Sequence, residues 1–238
     1  DRQIIPTNYQ TFQLNFEDLK DQLQKAPMRF TVKSAENDLI VTLPMPDGTF
    51  EHFKVLEAPT MHPDLQSRFP GIRSYAGEGI EDPTAYLRCG FSHKGFHAMI
   101  ISGKRSSVFI DVYAKGTTAH YISYYKKDFV RQDGAVMECS VGGEPITKSE
   151  SIKNKQNPAN LTGSNAENLG DCQLRTYRLA LACTGEYATF HGGNVPDVLA
   201  EYNVAMTRVN GVYETDATIT MEMVANTDLL IYLNAGTD

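Results

Sequence analysis

The sequence predicts an α+β fold, in which an antiparallel β-rich half is followed by a shorter strand–helix–strand–strand segment. Two patterns predict it: alternating stretches separated by turns recur about every 11 residues in the first half, and one long amphipathic helix lies in the second. The 238 residues are 41% apolar and carry a formal charge of −7, which is typical of a globular protein. The negative balance disfavours binding to nucleic acid.

The first elements along the chain are predicted to be a helix and three strands. Asn15 can cap a helix that ends before Pro27. A turn at Pro46-Asp47-Gly48 has the residues that a tight turn needs. Residues 61–83, which contain several prolines and glycines, predict a long ordered connection. Alternation predicts strands near residues 28–33, 39–43 and 50–56.

Four further strands follow at the spacing of an antiparallel meander. They are expected near residues 84–91, 96–102, 107–113 and 118–125. We expect one face of this meander to be packed because it would carry several aromatic side chains. These are Phe109, Tyr113, Tyr121 and Tyr125.

A polar stretch then separates the two halves. Between residues 140 and 171, Asn, Ser, Gly, Glu and Lys dominate, which leaves too little apolar surface to offset the entropy of ordering. The sequence therefore predicts three parts: an N-terminal domain over residues 1–139, a linker over 140–171 and a second domain over 172–238. A protease could reach the lysines of this linker, such as Lys148.

The C-terminal part is predicted to alternate strands with one helix. Asn194 can cap a helix that runs to about Tyr213 with one apolar stripe. Three short strands are too few to bury the apolar stripe of such a helix. We therefore expect either that further polypeptide follows or that this part docks on the first. The strands are expected near residues 174–183, 217–224 and 228–233.

Few residues form a recognisable catalytic or metal-binding pattern. His93 and His97 flank Gly95 between two predicted strands, so we interpret them as partly exposed residues of a β-turn rather than as metal ligands. His191 is a single loop histidine before Gly192-Gly193. Neither a His-Glu-x-x-His motif nor a Gly-x-Ser-x-Gly elbow occurs, so the residue chemistry alone reveals no active site.

The C-terminal part resembles reprolysin-like secreted zinc metalloproteases of the metzincin clan. Residues 174–180 (LRTYRLA) and 184–187 (TGEY) are similar to the opening strand of that catalytic domain, and 207–214 (TRVNGVYE) to the end of its first long helix. The next two strands are similar to 218–221 (TITM) and 229–232 (LLIY). The first half resembles, more loosely, prodomains of bacterial members, through 77–84 (GEGIEDPT) and 95–99 (GFHAM).

This resemblance implies a metzincin-like α/β domain, begun but incomplete, behind a prodomain that maintains latency and assists folding. The family's zinc motif would follow Asp238, so zinc is expected in the full-length protein and none in this chain alone, which should be inactive. The implied partners are the chain's own downstream catalytic domain, protein or peptide substrates, and an activating protease at the linker. The implied location is extracellular, with a signal peptide absent or removed and no membrane span.

The resemblance also gives the cysteines a possible role. In related zymogens a prodomain thiolate fills the open zinc position and displaces the reactive water. Cys139 lies at the end of the predicted prodomain and is the first candidate for this latency ligand. Cys89, within Arg88-Cys89-Gly90, is the second candidate. Either cysteine could instead be a buried thiol or half of a disulfide.

Two other functions remain open from the sequence. The chain could be a non-enzymatic extracellular binding or adhesion module that keeps metzincin-like strands and binds a peptide along its aromatic meander. It could also be a hydrolase in its own right, with a serine or cysteine nucleophile near His191 or His97.

Overall fold

The N-terminal half forms one curled antiparallel sheet of eight strands. The computed structural model of the chain describes residues 2, 4–129 and 173–236. The strands lie in the order β1-β8-β7-β6-β5-β4-β3-β2, and every neighbouring pair is antiparallel. Their bounds are β1 Gln10–Gln13, β2 Ile40–Pro44, β3 Phe50–Glu57, β4 Arg73–Gly79, β5 Tyr86–Ser92, β6 Gly95–Ile101, β7 Val108–Val112 and β8 His120–Tyr125.

One face of this sheet packs around the first helix. Helix α1, Phe16–Leu23, begins as predicted at Asn15, whose side chain accepts a hydrogen bond from the Asp18 amide. Its buried residues Leu19 and Leu23 lie in a core with apolar side chains from seven of the strands. This core includes Val41, Phe53, Val55, Tyr75, Leu87, Cys89, Phe91, Phe96, Ile100, Ile110 and Tyr121.

The four-strand meander is confirmed, but its aromatic residues lie on two faces. Tyr121 is fully buried in the core around α1 and Tyr125 packs against it. Phe109 is on the opposite face, because it is the register partner of Tyr124, and the two rings stack with centroids 5.7 Å apart. The expectation of a single aromatic face was therefore wrong. In the observed register Phe109 pairs with Tyr124 and not with Tyr125, so Phe109 and Tyr125 point to opposite faces of the sheet.

Two other predictions for the first half were wrong. Residues 28–33 do not form a strand, since the backbone turns at Phe30 with a φ of 64° and a 3₁₀ helix follows at Val32–Glu36. The proline-rich stretch 61–83 is more than a connection. It contains a short helix, α2, Pro63–Arg68, and the central strand β4. Strand β1 was not predicted.

The C-terminal part contains two helices and a two-stranded parallel sheet. Strand β9, Arg175–Leu179, pairs with β10, Ile219–Met223, and helices α3, Gly185–His191, and α4, Val195–Ala217, lie between them in the chain. Asn194 caps α4 as predicted, by accepting a hydrogen bond from the Asp197 amide at 2.9 Å. The predicted last strand, 228–233, was wrong: a 3₁₀ helix spans Thr227–Leu230, and a single bridge joins Ile231 to Cys183.

The apolar stripe of α4 forms a second core with residues from both halves. Met61 and Leu65 from the first half pack with Leu199 and Met206 of α4. The C-terminal part therefore docks on the first half, which is one of the two outcomes expected from its small number of strands. Both halves belong to one compact unit. Both edges of the predicted linker, at residues 139/140 and 171/172, lie outside the described residues. None of the helices within the described ranges has the length and apolar character that crossing a membrane requires.

Candidate functional site: the interface between the sheet and helix α4

The second face of α4 lies on the sheet, over strand β5. Two glycines make room for this contact. A Cβ on Gly90 of β5 would lie 2.9 Å from Asn203 Nδ2 of α4, and a Cβ on Gly211 of α4 would lie 2.6 Å from Cε of Met99 in β6. Such distances leave no room for a side chain at either position. We call this contact the sheet–helix interface.

Asn203 joins α4 to the first half through buried hydrogen bonds. The Thr60 hydroxyl donates to Asn203 Oδ1 at 2.8 Å, and Asn203 Nδ2 donates to the Arg73 carbonyl at 3.1 Å. About two turns further along the helix, Asn210 holds β10 by accepting a hydrogen bond from the Met221 amide at 2.9 Å and donating one to the Met221 carbonyl at 2.8 Å. Because buried polar groups need hydrogen-bond partners, these two asparagines fix the position of α4 against the first half and against β10.

Glu214 is the centre of a buried ionic group. Arg29 Nη1 donates to it at 2.9 Å, the Tyr86 hydroxyl donates at 2.6 Å, and Arg88 Nε lies 3.6 Å away. Burial on its own would raise the pKa of Glu214, but Arg88 and Arg29 outweigh it and hold that pKa below its usual value. The Arg88 side chain is fully buried, so this carboxylate is its necessary counter-ion.

A second ionic group joins α4 to the last strands of the meander. Arg208 Nη2 donates to Asp111 at 2.5 Å, and the Tyr124 hydroxyl donates to the same carboxylate at 2.9 Å. The Arg208 guanidinium also lies over the Phe109 ring, 5.0 Å from its centroid. Burial would lower the pKa of Arg208, but Asp111 outweighs it and raises that pKa.

His97 is a third ionisable residue of the sheet under α4, after Arg88 and Asp111. Unlike them, it forms no ion pair within the described residues. It is 4% exposed, and its Nε2 atom makes no hydrogen bond in the part of the chain that the structure describes. Burial, followed by the charges of Arg208 and Arg88, lowers the pKa of His97 to about 3. The imidazole is therefore neutral at physiological pH.

The rim of the interface, near the start of α4, carries a more exposed set of charges. His93 Nε2 lies 2.5 Å from Asp197, and Lys94 Nζ lies 3.0 Å from Glu201. Lys94 also donates to the His191 carbonyl at 2.8 Å. Since these pairs are partly solvated, they contribute less than the two buried groups.

The predicted β-turn at His93 and Lys94 is confirmed, but the prediction that both histidines are partly exposed was wrong for His97. His93 lies in the turn with half of its side chain exposed. His97 is the third residue of β6, and strand alternation directs it beneath α4. A hydrolase that uses His97 gains no support from this burial, because no substrate could reach the ring. The ring of His191 packs on Tyr187, with centroids 4.3 Å apart.

Cys89 and its two neighbours point to opposite faces of β5. Arg88 and Gly90 lie under α4, whereas the Cys89 thiol lies in the core around α1. Burial raises the pKa of this thiol to about 12, and the reactive and metal-binding form of cysteine is the thiolate. This environment favours a packing role for Cys89. Cys139, the first candidate for a latency ligand, lies outside the described residues.

The described residues do not fit a catalytic metal. Among residues 4–129 and 173–236, no group of three or more His, Cys, Asp or Glu side chains is arranged to hold a metal ion. The interface instead binds one part of the chain to another. Sequence reasoning identified the apolar stripe of α4 but not its polar face. The signal was present as Asn203, Thr207 and Gly211, which are four residues apart, but such residues are equally typical of a solvent-facing surface.

The sheet of the C-terminal part has an open side. Of the strands within the described ranges, only β10 pairs with β9. Four of the five β9 residues are exposed, including Tyr177. Several large apolar side chains elsewhere in the C-terminal part are exposed as well. They are Phe190, Leu229, Tyr232 and Leu233.

Comparison with known proteins finds a similarity in this C-terminal part. Residues 173–238 match the family model described as metallopeptidase family M12B, reprolysin-like. The resemblance of the strand–helix–strand segment to reprolysin-like metalloproteases is thereby confirmed over those residues. A search of curated proteins finds no match to the chain.

Proposed function

Because residues 173–238 carry a reprolysin-like metallopeptidase sequence, we propose that this chain is the zymogen portion of a secreted zinc-dependent endopeptidase. In this proposal the eight-stranded sheet is a prodomain that maintains latency and assists folding. Metallopeptidases of this family are in general zinc-dependent and extracellular. The substrates would be proteins or peptides, and an activating protease would cut between the two halves.

One observation carries the proposal: the N-terminal sheet covers a face of α4 with a specific, buried polar surface. Arg88 and Asp111 of the sheet are matched by Glu214 and Arg208 of the helix. A prodomain that templates folding needs such matched charges, since they specify where the helix docks and disfavour other arrangements.

The open side of β9 supports the same conclusion. Within the described residues, β9 is paired on one edge and its side chains are largely exposed, and such a strand is a place where further polypeptide can add. We propose that the rest of the catalytic domain pairs there and covers Tyr177. The catalytic zinc and its ligands would belong to that domain, and no step of peptide hydrolysis is assigned to the residues described here.

Latency would be maintained by a cysteine of the prodomain, and we keep Cys139 as the proposed ligand. Its position at the end of the first half would let it reach an active site on the neighbouring domain, and thiolate is a strong zinc ligand. Cys89 is disfavoured for this role by its burial on the face of the sheet that packs around α1.

The test is to read the transcript through its stop codon and to measure zinc in the purified encoded protein. We expect a His-Glu-x-x-His motif within one domain length after Asp238 and one zinc ion per chain. A transcript without that motif, or a protein that binds no zinc, would contradict the proposal. The second outcome would favour the non-enzymatic binding module instead.

A further inference from the structure

We propose that the sheet–helix interface is sensitive to acid: protonation of His97 loosens it, so that the reprolysin-like part is held at neutral pH and released in a mildly acidic compartment. This inference rests on the proposed function, because it assigns regulation to the contact between prodomain and protease.

The position of His97 makes an imidazolium ion costly there. The ring lies under α4, where His97 Cε1 and Asn203 Nδ2 would be 2.8 Å and 2.9 Å from a Cβ on Gly90, so the three residues fill one space. Its Nε2 atom has no acceptor within the described part of the chain. A buried charge without an acceptor or a counter-ion is strongly unfavourable.

The charges around His97 increase this cost. The cations nearest in effect are Arg208 of α4 and Arg88 of β5, and both repel an imidazolium. The carboxylates of the interface are already in use, since Glu214 of α4 pairs with Arg88 and Arg29, and Asp111 of β7 pairs with Arg208.

Two buried phenols of the sheet also lie at these ionic groups, and they give no counter-charge. Tyr86 of β5 donates its hydroxyl to Glu214, and Tyr124 of β8 donates to Asp111. A protonated His97 would therefore add a further cation to a buried set that already holds three arginines and two carboxylates.

The direction of the effect follows from the two protonation states. The pKa of His97 is about 3 when the interface is closed and 6.5 when the residue is solvated, so the open state binds more protons between these values. The interface is therefore complete above pH 6.5, and its stability falls as the pH decreases from 6.5 towards 3.

A histidine at the rim of the interface acts in the same direction. Burial, reinforced by Lys94 and Lys115, outweighs Glu201 and lowers the pKa of His191, so acid weakens the interface there as well. The other rim histidine, His93, is half exposed and lies 2.5 Å from Asp197.

The test is amide hydrogen exchange of the 238-residue chain at pH 7.5 and 5.5, corrected for intrinsic exchange rates. We expect the opening equilibrium of α4 and β5 to rise about tenfold for each pH unit below 6.5, because one proton is taken up on opening. Amides of the β2–β3 pair should not change. His97→Gln should remove most of this dependence and leave only the part due to His191, whereas His120→Gln, at an exposed histidine of β8, should retain it in full.

A wild-type protein without the acid dependence, or a His97→Gln variant in which the dependence is undiminished, would overturn the inference. If His97→Gln does not fold, nuclear magnetic resonance of wild-type protein with labelled histidine rings decides. We expect the His97 ring to stay neutral wherever α4 remains protected. A ring that titrates near pH 6.5 with α4 protected would overturn the inference. Neither measurement involves zinc or a substrate, so its failure leaves the zymogen proposal standing.

Discussion

Gly90 lies where Asn203 of α4 contacts the sheet, and it belongs to the Arg88-Cys89-Gly90 sequence that first suggested a zinc-binding cysteine. The structure gives each of the three residues a packing reason instead. Arg88 pairs with Glu214, Cys89 fills the core around α1, and Gly90 leaves space for Asn203. A short motif that resembles a functional one can therefore be explained by strand alternation alone.

Gly90→Ala should weaken the sheet–helix interface. The new methyl group would lie 2.7 Å from the Arg73 carbonyl oxygen of β4 and 2.9 Å from Asn203 Nδ2 of α4. It would therefore disturb the hydrogen bond that Asn203 donates to that carbonyl. We expect the free energy of unfolding to fall by about 1–3 kcal/mol, as for other overpacked sites. Urea denaturation measures this change. Gly103→Ala is the matched control, because its nearest neighbour would be 3.6 Å away; an equal loss in both variants would contradict this explanation.

The two candidate cysteines should behave differently in the full-length precursor. Cys139→Ser should raise peptidase activity before any cleavage, because a hydroxyl is a poor replacement for a thiolate on zinc. Cys89→Ala should leave latency intact and lower stability by about 1 kcal/mol, since it only leaves a small cavity. A precursor activated by Cys89→Ala and not by Cys139→Ser would reverse the assignment.

At the scale of elements, α4 joins the two halves, because it contacts β4, β5 and β6 of the large sheet as well as α3 and β10. Its apolar stripe packs in the second core and its polar face packs on the sheet. A helix buried on two sides depends on partners from distant parts of the chain for its stability. Substitution of charged residues on the face of α4 that packs on the sheet should therefore affect docking of the helix rather than its formation.

Arg208→Met should separate docking from helix formation. The substitution keeps a long side chain over Phe109 but leaves Asp111 with a neutral partner only, Tyr124. We expect a loss of about 1–3 kcal/mol in the free energy of unfolding, with Arg208 partly solvated and the cost reduced accordingly. Circular dichroism at 222 nm should show unchanged helix content in the folded state.

Arg178→Met is the control for that experiment. Arg178 is exposed on β9 and forms no ion pair within the described residues, so its replacement should change stability by less than about 0.5 kcal/mol. Equal effects of the two variants would show that the Arg208–Asp111 pair does not specify docking.

The elements that could be predicted from sequence are those with local signals. Asn15 and Asn194 cap helices where the sequence places them, and the regular turns locate the meander. Strand β4 was missed because its glycines and the prolines before it dominate the local pattern, while its strand character comes from pairing with β3 and β5. The end of α4 was predicted four residues too early, since Glu214 is stabilised by arginines from distant segments.

The site was harder to predict than the fold. Arg88, Asp111, Arg208 and Glu214 are far apart in sequence, and nothing local distinguishes them from surface charges. Only the three-dimensional register of β5 and β7 under α4 brings them together. The family resemblance was visible from consecutive residues and is confirmed, whereas the interface depends on long-range contacts.

At the scale of the whole molecule, the two halves should depend on each other unequally. The sheet has its own core around α1, whereas the second core needs Met61, Leu65 and Ile72 from the first half. We expect residues 173–238 expressed alone to lack stable helix, and to gain it when residues 1–130 are added in trans. Circular dichroism measures the gain. A C-terminal part that is fully helical by itself would contradict the folding role of the sheet.

The most direct measurement is the peptidase activity of the zinc-loaded full-length precursor before and after cleavage between residues 130 and 173. The account predicts little activity in the intact precursor, and activity after cleavage that is suppressed again when the purified sheet is added back. The Gly90→Ala sheet, with its obstructed contact to α4, should suppress it less. Full activity in the intact precursor, or no inhibition by the added sheet, would contradict the account.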